Sequence, residues 1–409
     1  MNIIILNDYG VVQGGATQVA ISSARGLAEA GYNVTYIFGT GEKDDALLHP
    51  NISIVDLGQY DLLSNPSRLN AAYTGIWNKD VQLKVDDILS EFDPQNTIVH
   101  LHSWVKVLSA SVVSVVLNRQ FPFVLTLHDY FSACPNGGFY NYQQQSICKL
   151  KPMSLACLTS NCDMRSYSQK IWRYCRQLFY PHAGIPDGIK NFISVSKFSE
   201  DILRPYLPRN ANLQYVPNPI DITLDKVSNP SQSEYFSYVG RFSAEKGALL
   251  FAQATNLLNV SARFVGAGDL EDSLKEANNK AEFTGWVSRP EIVNYIKDSR
   301  AIIFPSEWYE TQGMVVAEAA ALGVPSIISD SCAARDFVVD GETGLLFEAG
   351  NVESLKDKIQ LLAENPDLAR EMGSRAYQEY WDNPNNMEKH LACLLEYYRT
   401  VLNHSKSGC

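Results

Sequence analysis

Several things are missing from this 409-residue chain, and each absence narrows what it can do. No window holds the roughly 20 uninterrupted apolar residues that a membrane-crossing helix needs. The opening run Met1-Asn2-Ile3-Ile4-Ile5-Leu6-Asn7-Asp8 has no charged n-region and no long apolar core, so no secretory signal is expected. Positive charge is scarce, with 34 Lys and Arg against 45 Asp and Glu and a net charge of −11. That balance argues against nucleic acid, whose phosphates are held by surplus cations. Eight cysteines are too few and too unevenly placed for a disulfide scaffold. The chain also lacks a Gly-x-Gly-x-x-Gly fingerprint, which leaves a nicotinamide-dependent oxidoreductase unsupported. A cytoplasmic location, free in solution or at the inner face of the membrane, is the expectation.

What is present is the composition of a folded globular protein, 45% hydrophobic and 19% charged. The length suits two domains of about 200 residues. Short β-branched runs alternate with helical stretches, the pattern of parallel sheets covered by helices. Ile3–Leu6, Asn33–Phe38, Ile98–Leu101, Phe123–Leu127 and Asn191–Val195 read as strands, with helices at Gln18–Ala30 and Trp104–Leu117. A second series has strands at Tyr235–Val239, Arg263–Val265, Glu282–Thr284, Ala301–Phe304 and Pro325–Ile328. Its helices fall at Glu245–Leu257, Arg289–Lys297, Met314–Leu322 and Val352–Glu364. The expected division is a Rossmann-like domain over 1–203, a Pro- and Asn-rich linker over 204–223, and a second Rossmann-like domain over 224–381. A final helix, about Asn386–Leu402, lies in a C-terminal segment 382–409.

The stretch Tyr130–Asp187 breaks the rhythm and reads as an insertion on the first domain. Cys134, Cys148, Cys157 and Cys162 cluster in it at intervals of thirteen, eight and four residues, as the numbering shows. Four thiols suit tetrahedral zinc, but the Cys-x2-Cys knuckle is absent, so buried or separate thiols stand beside that reading. Arg165–Tyr180 reads as a helix with Ile171, Tyr174, Cys175 and Leu178 on one stripe and a basic edge of Lys170, Arg173 and Arg176. That edge suits either docking on anionic lipid or ordinary packing on its own domain.

Two segments carry chemistry. In Phe304-Pro305-Ser306-Glu307-Trp308-Tyr309-Glu310-Thr311-Gln312-Gly313-Met314, a strand runs through a loop into a helix that continues past Glu318. Gly313 lets a ligand approach the backbone, and the free N–H groups of the helix start face an anion. Glu310 and Glu318 flank that anion site and accept hydrogen bonds from hydroxyls. In Tyr238-Val239-Gly240-Arg241-Phe242-Ser243-Ala244-Glu245-Lys246-Gly247, a strand ends and two cations leave the carboxyl edge of the sheet. Such a pair neutralises a diphosphate, Arg241 by bidentate bonds and Lys246 as a point charge.

Together these segments resemble the retaining glycosyltransferases of family 4, whose signature is a Glu-x7-Glu element. Further matches are Gly14-Gly15-Ala16, Thr126-Leu127-His128-Asp129, Ser194-Val195-Ser196, Val216-Pro217-Asn218-Pro219-Ile220-Asp221 and Phe264-Val265-Gly266-Ala267-Gly268. Phe283-Thr284-Gly285-Trp286-Val287 and Asp340-Gly341-Glu342-Thr343-Gly344-Leu345-Leu346 also fit. The resemblance implies a GT-B architecture, two Rossmann-like doubly wound α/β domains facing a deep cleft, with the last helix crossing back to the first domain. It implies Arg241 and Lys246 on the donor diphosphate, Glu310 on hydroxyls of the transferred sugar, and Glu318 on the ribose. Gly313 and Met314 would offer backbone N–H groups, Gly266 and Val287 would border the nucleotide, and Gly15 would sit near the phosphates. His128 would reach the donor sugar, its tautomer fixed or its charge held by Asp129. His100 and His102 point to one strand face and are not read as catalytic.

The function implied is transfer of a sugar from a UDP- or GDP-linked donor to a saccharide or lipid-linked acceptor, with retention, in cell-surface polysaccharide or glycolipid assembly. No cofactor and no metal are expected. The chain has no Asp-x-Asp, the motif by which transferases of the other major architecture hold a cation, and Arg241, Lys246 and a helix dipole take that role. A nucleotide-sugar epimerase or hydrolase, and a non-catalytic nucleotide-sugar-binding subunit, are the alternatives.

Overall fold

The computed structural model describes residues 1–224 and 226–407; Asp225, Gly408 and Cys409 lie outside the described residues. The first half contains β1 (Asn2–Tyr9), β2 (Asn33–Thr40), β3 (Ile52–Asp56), β4 (Thr97–Leu101), β5 (Phe123–Leu127), a small hairpin β6 (Tyr140–Asn141) and β7 (Ser146–Ile147), then β8 (Asn191–Ser194) and β9 (Asn212–Tyr215). All but the hairpin pair in parallel in the order β3-β2-β1-β4-β5-β8-β9. Its helices are α1 (Gly15–Glu29), α2 (Arg68–Ile76), α3 (Lys79–Ser90), α4 (Ser111–Asn118), α5 (Leu155–Thr159), α6 (Tyr167–Leu178) and α7 (Lys197–Leu203).

The second half repeats the theme. Strands β10 (Phe236–Val239), β11 (Ala262–Val265), β12 (Glu282–Gly285), β13 (Ala301–Phe304), β14 (Ser326–Ser329) and β15 (Gly344–Phe347) form a parallel sheet in the order β12-β11-β10-β13-β14-β15. Helices α8 (Ala248–Leu258), α9 (Glu271–Ala277), α10 (Arg289–Lys297), α11 (Met314–Leu322), α12 (Val352–Glu364) and α13 (Pro366–Asp382) cover it, and α14 (Met387–Ser407) follows. The central strands are largely apolar because helices bury both faces of a parallel sheet. Ile3, Ile4, Ile5 and Leu6 of β1 are wholly buried, as is Ile302 of β13.

In both sheets the strand order reverses beside the first strand, between β1 and β4 and between β10 and β13. Crevices at such reversals, outside the carboxyl ends of the strands, are where open α/β sheets bind ligands. α14 crosses back over the first sheet, packing Leu394, Tyr397, Tyr398 and Val401 among Ile3, Ile5, Ala24 and Val124. His390 anchors it, with one ring nitrogen 2.8 Å from Ser23 Oγ and the other 2.7 Å from the Pro217 carbonyl.

Several sequence expectations shift. β9 lies inside the stretch read as a linker and adds an edge strand to the first sheet. The helix expected from Trp104 begins at Ser111. The preceding turns are pinned by buried Asp8, which accepts 3.0 Å bonds from the N–H groups of Lys106, Val107 and Leu108. The helix expected from Glu245 begins at Ala248 after a single 3-10 turn, Ala244–Lys246.

The basic edge of α6 faces inward, which overturns it as a lipid-docking surface. Lys170 and Arg176 are buried, whereas Leu178 of the supposed inner stripe is exposed. Arg176 donates to the Pro135 carbonyl and lies 5.1 Å from the Phe131 ring and 5.2 Å from the Trp172 ring. Arg173 pairs with buried Asp163 at 2.8 Å. The insertion thus wraps the cationic side of α6 and supplies carbonyls, rings and a carboxylate for it. Lys170 Nζ sits 3.3 Å from Cys157 Sγ. Among the described residues all cysteines are free, and no group of three or more His, Cys, Asp or Glu is placed to hold a metal ion. None of the helices among the described residues is long and apolar enough to cross a membrane.

Candidate active site

Several of the residues singled out in sequence, Gly15, His128, Lys246, Glu310, Gly313 and Met314, lie where the two halves face each other. Gly313 caps α11 with φ 108°, a conformation that disfavours a side chain, and a Cβ there would lie 2.8 Å from the Ala334 Cβ. The glycine therefore brings the first turn of α11 close to its neighbours with its N–H groups free for an anion. Directly across the cleft, Gly15 opens α1, and a Cβ at that position would lie 3.0 Å from the Met314 Cε. The start of α1 and the Met314 side chain at the start of α11 therefore touch across the cleft.

Beside them Lys246 pairs with Glu310, which also accepts a 3.0 Å bond from the Trp308 indole N–H. Lys246 Nζ lies 5.2 Å from the centre of the Trp308 ring. Burial alone raises a carboxyl pKa, but the Lys246 ammonium and the indole outweigh it and hold Glu310 below the usual range. Glu318, inside α11, is 7% exposed and accepts a 3.0 Å bond from Arg289. There burial wins over Arg289 and the pKa rises. Each carboxylate of the Glu-x7-Glu element thus carries its own cation.

Arg241 is less tightly placed. Its side chain is 74% exposed and reaches Glu245 at 3.7 Å, leaving it at the rim and free to swing inward. Gly266 has φ 137°, and a Cβ there would sit 2.1 Å from the Gly240 carbonyl oxygen, so the β11 end presses against the β10 end with no room for a side chain. Val287 is half-buried just before Ser288, the N-cap of α10.

The first half contributes His128, whose carbonyl accepts a 3.1 Å bond from Thr311 Oγ1 across the cleft. Its ring partner is His102 rather than Asp129: His128 Nε2 lies 2.9 Å from His102 Nδ1, and the rings stack. Asp129 instead accepts from the Phe131 N–H. Burial pushes the His128 pKa down to about 3, so its imidazole is neutral at pH 7. His100 is buried between Tyr398 and Thr126, as befits a structural residue. The insertion also reaches the cleft. Tyr309 packs against Tyr130 and Phe139, and Gly138 approaches Trp308 so closely that a Cβ would fall 2.8 Å from its ring. A cavity of about 180 Å³ opens beside Gly15, lined by Tyr9, Gln13, Lys106 and Asp129. A larger groove of about 410 Å³ runs between α1 and the crossing segment at Pro219–Ile222, with Met314 on its wall.

Sequence reading assigned no role to Trp308, Thr311, His102 or Arg289. Trp308 and Thr311 lie within the informative segment, so their proximity was available; the partners of His102 and Arg289 are far away in the chain.

Residues 220–379 match the family profile described as "Glycosyl transferases group 1", and residues 13–224, more than half of the chain, match that described as "Glycosyltransferase Family 4". The chain belongs to glycosyltransferase family 4. It is 30% identical over 148 residues to the capsular polysaccharide biosynthesis glycosyltransferase CapM of Staphylococcus aureus, covering 33% of this chain and 38% of that protein. It is 26% identical over 252 residues to the lipopolysaccharide 1,2-N-acetylglucosaminetransferase of Salmonella typhimurium, covering 54% and 65%. The matched part is less than two thirds of the length of either relative.

Solved structures align over nearly the whole of this family 4 chain. Sucrose-phosphate synthase from Thermosynechococcus elongatus superposes with a TM-score of 0.73 at 18% identity, covering 98% of this chain and 99% of that one. Anabaena HepE in complex with UDP-glucose gives 0.67 at 16%, covering 97% and 99%. The fold is GT-B.

Proposed function

We propose that this chain transfers a sugar from a UDP- or GDP-linked donor to an acceptor hydroxyl, with retention and without a metal ion, in polysaccharide or glycolipid assembly. The observation that carries the reading is that the start of α1 touches Met314 at the start of α11, with Lys246 held by Glu310 in the loop just before that helix. Three sources of positive potential, the starts of α1 and α11 and the Lys246 ammonium, line the same cleft, which suits a diphosphate. Relatives named for capsular polysaccharide and lipopolysaccharide synthesis, and a fold neighbour holding UDP-glucose, support the substrate class.

In this reading the donor diphosphate lies over Gly313 and Met314 and draws Lys246 away from Glu310, with Arg241 closing from the rim. Glu310, released, accepts hydroxyls of the transferred sugar, and Glu318 accepts those of the ribose. Gly266 and Val287 border the base. Neutral His128 offers the sugar a hydrogen bond from the other half. The acceptor enters from the first domain through the cavity beside Gly15. The anomeric carbon–oxygen bond breaks, its electrons go to the diphosphate, the acceptor oxygen bonds to the same face, and its proton passes to a diphosphate oxygen. The cations and N–H groups stabilise the negative charge that develops, the work a divalent ion does in other sites.

Thermal shift against a panel of nucleotide sugars, followed by assay for slow donor hydrolysis, tests this. A UDP- or GDP-sugar is expected to raise the melting temperature and to be hydrolysed by the wild type and not by Lys246→Ala. No shift with any member of the panel would overturn the assignment.

A further inference from the structure

We propose that Arg289 is a positioning residue for the donor ribose and restricts this site to ribonucleotides. The inference rests on the donor reading above. Arg289 is the first residue of α10, a helix start fixed by a reciprocal capping box between Ser288 and Glu291. Its Nη2 donates to Glu318 Oε1 at 3.0 Å, and that carboxylate is nearly buried. On the same edge of the guanidinium, Nε lies 3.6 Å from Asp221 Oδ2 in the crossing segment. That distance is too long for a hydrogen bond, and Nε is buried with no hydrogen-bond partner among the described residues.

A buried donor without an acceptor is costly and therefore informative. Here it lies beside a buried carboxylate that can only accept. The group that satisfies both is one that donates and accepts at once, which is a hydroxyl. A ribose 2′-hydroxyl placed there donates to the Glu318 carboxylate and accepts from Arg289 Nε–H. A 2′-deoxyribose offers neither bond and leaves both protein groups unpaired. Arg289 also keeps Glu318 paired with a cation, so the carboxylate stays fixed as an acceptor. Lysine, a point charge on a flexible stem, does not reproduce a guanidinium that holds Glu318 with one nitrogen and presents another to the sugar.

A merely structural role, clamping α10 to the crossing segment, changes stability but not discrimination between ribose and deoxyribose. The test is calorimetric titration of the full chain with UDP, 2′-deoxy-UDP, GDP and 2′-deoxy-GDP. For whichever base binds, the wild type is expected to favour the ribonucleotide by about 10- to 100-fold. In Arg289→Ala that ratio is expected to fall to about 3 or less, chiefly through weaker ribonucleotide binding, while Arg289→Lys lies between. Equal binding of ribo and deoxy forms by the wild type overturns the inference, as does an undiminished ratio in Arg289→Ala. Binding of neither UDP nor GDP to the wild type overturns the donor reading itself, and this inference with it, so the two failures are told apart.

Discussion

At the scale of single residues, the pairing of Lys246 with Glu310 makes a sharp demand. Removing the lysine deletes a preorganised cation, and such losses cost about 10²- to 10³-fold in turnover. Lys246→Ala is therefore expected to lower transfer by that factor, measured as initial rate with the donor identified by the panel. The same change leaves the half-buried Glu310 carboxylate without its cation, so the melting temperature is expected to fall as well. Adding Glu310→Gln to Lys246→Ala removes the stranded charge. The double variant is expected to regain stability over Lys246→Ala without regaining activity, a separation that a purely structural ion pair would not show. Glu310→Ala alone is expected to cut transfer severely while the fold persists, seen as an unchanged far-UV circular dichroism spectrum.

At the scale of elements, α11 and its cap decide whether an anion can be held. Gly313→Ala meets both a left-handed backbone and the Ala334 side chain. It is expected to cost about 1–3 kcal/mol in chemical denaturation and to weaken nucleoside-diphosphate binding. Much of this was legible in the sequence, because a buried strand, a glycine in the loop and an alanine-rich helix succeed one another over a short span. The central strands were equally legible, their apolar runs being long and β-branched. Some of what escaped had weak local signals. β3 and β9 expose much of their surface and lack a continuous apolar run, so neither reads as a strand. Lys246 reads as helical because Glu-Lys-Gly looks like a helix start, whereas left-handed Gly247 caps α8 and leaves Lys246 in the turn before it. The inward basic face of α6 contradicts the rule that charge faces water, and only the folded insertion supplies its partners. His102 and Arg289 acquire partners 26 and 29 residues distant, which no local pattern encodes.

For the whole molecule, α14 and the histidines of the first domain make stability depend on pH. Burial lowers the pKa of His128 from 6.5 to about 3 and of His390 from 6.5 to about 4. Below 6.5 these histidines take up protons in the unfolded chain and not in the folded one, so their contribution to stability falls as pH drops from about 6.5 towards 4. Asp129 and Glu307, whose carboxyls burial raises to about 6 and about 7, contribute in the opposite direction. Over that window the urea midpoint of His390→Gln is expected to lose less on acidification than that of the wild type; identical profiles for the two would contradict the placement of that ring. The larger claim is that the two halves meet to hold a diphosphate, and comparing UDP with uridine, and GDP with guanosine, isolates that group. Calorimetry on the wild type and Lys246→Ala is expected to show nucleoside-diphosphate affinity weakened at least about 10-fold by the substitution, with nucleoside affinity unchanged. Equal weakening of both, or of neither, would contradict a diphosphate seated against Lys246 and the start of α11.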